Sequence, residues 1–344
     1  MHILKRKMGI IRILVLVFVV LSSTAIKAQQ DPQLTQWFND KQSFNPAFVG
    51  ANDGVCGGNN CIGGFFRNQW SGFENSNGTL SRPNTYLFNY SGRLQTSKHA
   101  NSPMGIGITF YSDQLGQETN TIFRASGAYH IENVGSGTLS LGLSLGFFGK
   151  KLGNNWLPPD GIESIPGDGA ISNTAVSDGS FDMNLGLYYY VPNNYYIGLS
   201  STHLTAQDLD QLNIKAARHY YLMGGKNFPI NSTFDLRTNI LAKSDLNKSS
   251  LDINANLLYA QMLYGGLSYR PGDAVAVHAG IEYGQTISEK TFKKTICYRM
   301  GYSYDFTTSE IRNYSGGSHE LFVGVCFSYM KIPLRTRPMN PLFL

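Results

Sequence analysis

Three short stretches carry residue types that could do chemistry. Gly142-Leu-Ser-Leu-Gly146 has the G-x-S-x-G spacing of a serine-hydrolase nucleophile, Ser318-His319-Glu320 puts a hydroxyl, an imidazole and a carboxylate in a row, and His278 with Glu282 offers an acid–base pair. Each needs a particular element to work. The hydrolase pattern requires a sharp strand-to-helix turn that lifts the serine out. Here apolar and small residues alternate straight through Ser144, and no helical pattern follows. Consecutive strand residues point to opposite faces, which divides His319 from Ser318 and Glu320. His278 and Glu282 share a strand face but stand roughly 13 Å apart, beyond a direct hydrogen bond. No two histidines have helical metal-ligand spacing. The sequence nominates no catalytic residue, metal ligand or cofactor, and a non-enzymatic protein is expected.

The elements beneath these motifs are strands. Leu139, Leu141, Leu143, Leu145 and Phe147 alternate with Ser140, Gly142, Ser144 and Gly146. The same period of two runs through Leu251 to Tyr259 and Val275 to Tyr283, giving each strand one apolar and one polar or small face. About fourteen such stretches are expected, near 61–71, 84–94, 103–112, 121–131, 138–149, 181–191, 195–203, 217–228, 233–243, 250–259, 263–270, 274–284, 295–306 and 319–330. Only 15% of the 344 residues are charged, against roughly 25% in soluble domains, while 37 Gly, 20 Tyr and 20 Phe are present. So many large apolar side chains exclude a disordered chain. An even strand count, apolar faces ending in aromatics and little charge specify an all-β fold, a transmembrane antiparallel β-barrel with its polar face inward.

Charge supports export. Residues 1–28 contain Lys5, Arg6, Lys7, Arg12 and Lys27 and no acid, followed by an apolar run from Ile13 to Leu21 and small residues before Ala28. This is the layout of a signal peptide cleaved after Ala28. The competing reading, an inner-membrane anchor at 10–21, is cut short by Arg12. Removal leaves 28 − 5 = 23 Lys and Arg against 23 Asp and Glu, so the mature chain is formally neutral and nucleic acid is not an expected partner. The expected location is the outer membrane of a Gram-negative bacterium.

The organisation that follows is a signal peptide at 1–28, an N-terminal plug or rim segment at 29–60, the barrel at 61–330 and a periplasmic tail at 331–344. Trp37, Phe38, Phe44 and Phe48 argue against a disordered leader and for a segment folded against the inside or periplasmic rim. Short turns at 192–194, 229–232 and 260–262 are expected on the periplasmic side, and the long loop 150–180 outside. Arg237, Asp252, Asn254, Asn256, Arg270, Glu282 and Arg299 are expected to face the lumen, where buried charges need partners. Cys56 and Cys61 bracket a short loop suited to a disulfide in an oxidising compartment. Cys297 and Cys326 fall nearly opposite on the last two strands, which leaves a cross-strand disulfide and two free thiols both open.

Several motifs in order resemble the PorP/SprF family of type IX secretion system outer-membrane proteins. They are Phe44-Asn45-Pro46-Ala-Phe-Val-Gly50, Phe66-Arg67-Asn-Gln69-Trp70, Tyr196 to Leu204 with His203, His219 to Gly225, Gly266 to Arg270, Gly301 to Phe306 with Asp305, and Gly316-Gly-Ser318-His319-Glu320. The loop holding Cys56 and Cys61 departs from the family pattern. The resemblance implies a barrel that supports secretion or surface anchoring of large exported proteins, such as gliding adhesins bearing a type IX C-terminal signal. The partners it implies are that surface protein, periplasmic or lipoprotein parts of the secretion machine, and outer-membrane lipid. The alternative is a channel for hydrophobic or small solutes.

Overall fold

The structure is a computed structural model that describes residues 33–52, 60–72, 82–94, 102–154, 174–206, 208–212, 214–288 and 292–331. The expected signal peptide, Cys56, residues 155–173 of the long loop and the tail beyond Lys331 lie outside the described residues.

Among the described residues sixteen strands follow in chain order: β1 (Asn60–Asn68), β2 (Asn84–Arg93), β3 (Met104–Leu115), β4 (Glu118–Val134), β5 (Gly137–Leu152), β6 (Val176–Val191), β7 (Tyr195–Thr202), β8 (Asp208–Leu209), β9 (Ile214–Lys215), β10 (His219–Pro229), β11 (Phe234–Ser244), β12 (Ser249–Tyr259), β13 (Leu263–Arg270), β14 (Ala274–Ser288), β15 (Phe292–Thr307) and β16 (Ser318–Lys331). All but β8 and β9, a separate short hairpin, join a closed antiparallel barrel of the expected fourteen strands. β4, β6 and β14 run several residues past the expected ends. Glu118-Thr-Asn120 and Ser177-Asp178 are polar on both faces, and Val134, Val176 and Ile287 are isolated apolar residues in the extensions. The backbone ladder continues there after the apolar signal stops.

Alternation assigns the faces. Ile106, Ile108, Phe110, Leu141, Leu143, Leu145 and Phe147 point outward and are exposed, while Thr109, Ser140 and Ser144 between them are buried inside. Closure pairs β1 with β16 in a register that sets Arg67 opposite Glu320 and Cys61 opposite Cys326. The expected cysteine pairing is corrected here: Cys61 is bonded to Cys326, not to Cys56. Cys297, level with Cys326 on the other flank of β16, is also disulfide-bonded, and no described cysteine is free. Sequence proximity favoured the local loop, whereas ring closure brings residues 265 apart in sequence side by side.

A fourteen-stranded barrel is too wide for its own side chains to fill. Residues 33–52 fill it. They form 3-10 turns at Trp37–Asn39 and Pro46–Phe48 and bring Leu34, Trp37, Phe44 and Ala47 against Tyr188, Tyr221, Met223, Leu241 and Phe322 of the wall. The hydrophobic core of the molecule is therefore this internal segment and its seat. Burying Leu34, Trp37 and Phe44 contributes roughly 1.5–3 kcal/mol each.

Candidate functional site

The internal segment is held at three levels. At the end of the barrel nearest the 69–83 and 308–317 connections, Arg67 of β1 lies between two carboxylates. It reaches Asp305 of β15 at 2.7 Å and Glu320 of β16 at 3.1 Å, and all three side chains are almost wholly buried. The segment joins the cluster through its backbone. The Thr35 and Gln36 amides donate to the two Glu320 oxygens at 2.8 and 2.7 Å, and the Thr35 hydroxyl donates to Asp305 at 2.7 Å. Arg67 in turn donates to the Thr35 hydroxyl at 2.8 Å. The network continues through Arg270, paired with Asp252 at 2.5 Å and Asp273 at 2.8 Å, to Lys243, which contacts Asp252 at 3.5 Å and donates to Gln33 at 2.8 Å. Charges removed from water this completely are tolerated only when paired, and each one here is, although the Arg67 Nε carries no hydrogen bond.

At mid-height the wall is cut away to admit the segment. A Cβ at Gly142 would stand 2.2 Å from the Ala47 nitrogen, and one at Gly186 would stand 2.0 Å from the Asn45 side-chain oxygen. Asn45 caps the turn by accepting from the Ala47 amide at 2.9 Å and donates to the Leu187 carbonyl at 2.8 Å, while Pro46 occupies the first position of the turn. Ser200 donates to the Phe44 carbonyl at 2.6 Å, and Gln42 donates to the carbonyls of Tyr90 and Ile108 at 3.0 and 2.9 Å. At the far end His130 contacts the Val49 carbonyl at 2.9 Å and Ser91 accepts from the Gly50 amide at 2.9 Å. Asp40, buried in the segment, has its carboxyl pushed up to about 6 by burial, a shift its hydrogen bonds from Ser43 only partly offset.

Below the segment the lumen widens into a cavity of about 560 Å³ at the end carrying the 192–194, 229–233 and 260–262 turns. Phe38, Lys41, Tyr196, Arg237, Glu282 and Arg299 line it. Arg237 pairs with Glu282 at 2.8 Å and is 23% exposed, and Lys41 stands 4.6 Å above the Tyr196 ring.

The candidate residues read from the sequence separate into groups. Arg67, Arg270, Asp305, Ser318 and Glu320 gather at one end, where Ser318 accepts from the Trp70 amide at 3.1 Å and Gln69 is held through its backbone to Pro83 at 2.9 Å. Asn45 and Pro46 belong to the internal segment. His203 and His219 face each other edge-on at 5.7 Å beside Asp182, which His203 contacts at 3.3 Å. His319 points outward and contacts the Tyr302 hydroxyl at 2.6 Å, so the row at 318–320 divides between two faces. The seven expected lumen residues all face inward, and Asn254 and Asn256 form a polar ladder with Asn239 and His278. Ser144 lies in a continuous strand and accepts from Asn184 at 2.9 Å.

The sequence reading missed Thr35, Gln36 and Lys243, together with the pair Arg124 and Asp182 at 3.2 Å. Gly146 separates Arg124 from Asp182 in register, so their side chains meet across a residue without one. Charges at inward strand positions were the available signal for that pair. Thr35 and Gln36 act through backbone amides and leave none. What the arrangement does chemically is grip a folded internal chain segment: carboxylates accept from its amides, side-chain donors meet its carbonyls, and glycines make room for it.

The chain was compared with known proteins. The family described as type IX secretion system membrane protein PorP/SprF matches residues 26–325. No curated protein matches. Solved barrels with a similar fold include the CymD monoaromatic hydrocarbon channel, 11% identical with a TM-score of 0.43 over 89% of this chain and 95% of that one. The P. putida toluene transporter TodX is 13% identical, with a TM-score of 0.40 over 84% and 92%. A Pseudomonas aeruginosa FadL homologue is 10% identical, with a TM-score of 0.41 over 82% and 97%.

Proposed function

The chain belongs to the PorP/SprF family of type IX secretion system membrane proteins, and from that premise we propose that it is a non-enzymatic outer-membrane component that docks cargo rather than conducting it. In this reading the chain is exported with a cleaved signal peptide. Its loops, especially 150–180, hold a large surface protein such as a gliding adhesin bearing a type IX C-terminal signal. The opposite rim grips periplasmic or lipoprotein parts of the machine. One observation carries the reading: the lumen is occupied by residues 33–52, gripped along their length by the wall. A folded protein would not fit a barrel of this size in any case, and the internal segment takes the space a small solute would use.

Two measurements test it. In planar bilayers the native protein is expected to hold no steady conductance, whereas Gly142→Leu, which drives a side chain into Ala47, is expected to open one. Steady native conductance would overturn the docking reading in favour of a channel. Deleting 155–173 is expected to abolish surface display of the partner adhesin while the barrel still assembles, and normal display would count against the loop as the docking element.

A further inference from the structure

At the turn end, the barrel rim is uneven. The ladder between β13 and β14 stops at Leu263 opposite Ile281, with a last hydrogen bond from the Glu282 amide to the Met262 carbonyl at 2.7 Å. β14 continues to Ser288, paired only with β15 on its other side. β15 and β16 stay paired out to Phe292 opposite Lys331, although β1 begins only at Asn60 opposite Phe327. A three-stranded ribbon therefore stands beyond the rim by about 20 Å, six residues at roughly 3.3 Å each. Every residue from Tyr283 to Ser288 is exposed.

Because the Glu282 amide points toward β13, alternation turns the amides and carbonyls of Gly284, Thr286 and Ser288 the same way. Among the described residues nothing pairs with them on that edge. The edge Tyr283-Gly-Gln-Thr-Ile-Ser288 holds no proline, no charge and no bulge, the devices that usually blunt such an edge. Among protein partners, an extended strand is the one whose amides and carbonyls match such a row. The chain around it is basic: residues 283–297 contain Lys290, Lys293 and Lys294 against Glu289 alone. In register Lys294 lies opposite Ile287 and Lys293 opposite Ser288, one strand in from the open edge.

We propose that the open edge of β14 at residues 283–288 is a docking site for an extended segment of another protein with acidic residues flanking its strand, added as a further strand to the barrel wall. The same edge of a second copy is uncharged from Tyr283 to Ser288 and offers these lysines no carboxylate. The inference does not rest on the secretion reading, because it concerns the edge and not the filled lumen.

The test uses the full chain in detergent micelles and two synthetic strand peptides, Asp-Asp-Thr-Val-Thr-Val-Asp-Asp and its counterpart with Lys in place of Asp. The acidic peptide is expected to slow amide exchange at Gly284, Thr286 and Ser288 by at least about tenfold, with the basic peptide weaker and the effect shrinking as salt rises. Thr286→Pro removes an edge-facing amide and leaves the bonds to β15 intact, so it should abolish that protection while heat-modifiable migration of the barrel stays native. Ser288→Pro, farther from the rim, is the second variant with the same expectation. No protection by either peptide, or protection that survives both prolines, overturns the proposal. Protection without peptide, together with a dimer mass, would overturn it in favour of self-pairing.

Discussion

The two ends of the lumen use the same residue types to opposite effect. At one end Arg67, Asp305 and Glu320 are almost completely buried and bonded to each other and to Thr35 and Gln36. At the other, Arg237, Glu282 and Arg299 border a cavity of about 560 Å³, and Arg237 keeps 23% of its side chain exposed. Access of water to Arg237, rather than the number of ion pairs, separates a clasp from a wet vestibule. In the clasp, desolvation makes every partner indispensable to the others, while at the vestibule water reaches Arg237 and Arg299 stands 3.9 Å from the same carboxylate.

The largest expected effect is at the clasp. Arg67→Ala leaves two carboxylates buried beside each other and should cost about 3–5 kcal/mol. It would be read as a fall in the temperature at which the barrel loses its compact electrophoretic form, with faster proteolysis between residues 33 and 52. If Arg67→Ala behaves as the native protein, the contrast between the ends fails. Intermediate in size is the response of the segment to pH. The Asp40 carboxyl is raised from 3.8 to about 6, so the folded segment favours the protonated form. Its contribution is fully present below about 4 and is lost as pH rises through about 6, by roughly tenfold in the closed-to-open ratio for each pH unit crossed. Amide exchange in 40–45 should therefore quicken between pH 5 and pH 7.5 at matched intrinsic rate, and Asp40→Asn should flatten that dependence. The smallest effect belongs to the vestibule, where Arg237→Ala should cost under about 1 kcal/mol. A loss there as large as that of Arg67→Ala would erase the distinction.

Much of this was legible in the sequence because one physical rule, the period of two, repeats through the chain. Leu141 and Leu143 facing outward, Ser144 inward and His319 apart from its neighbours all follow from it. Residues placed by closure were not legible. Cys61 meets Cys326 only when the ring shuts, and the Arg67 clasp needs three strands in register as well as a lumenal segment that precedes the wall strands in the chain. The glycines of 142–146 suggested catalytic geometry by their spacing. Their reason is room, Gly142 for Ala47 and Gly146 for the meeting of Arg124 and Asp182. The ends of β6 and β14 were misjudged because apolar alternation reports lipid contact, and those strands continue beyond it.

The bond between Cys61 and Cys326 has a consequence for how the molecule is made. It joins residues that lie side by side only in the closed register, so the crosslink ties the first wall strand to the last around residues 33–52. Oxidation therefore acts as a timestamp on ring closure: a molecule carrying this crosslink has brought its two seam strands together, and the seam can no longer part at that level.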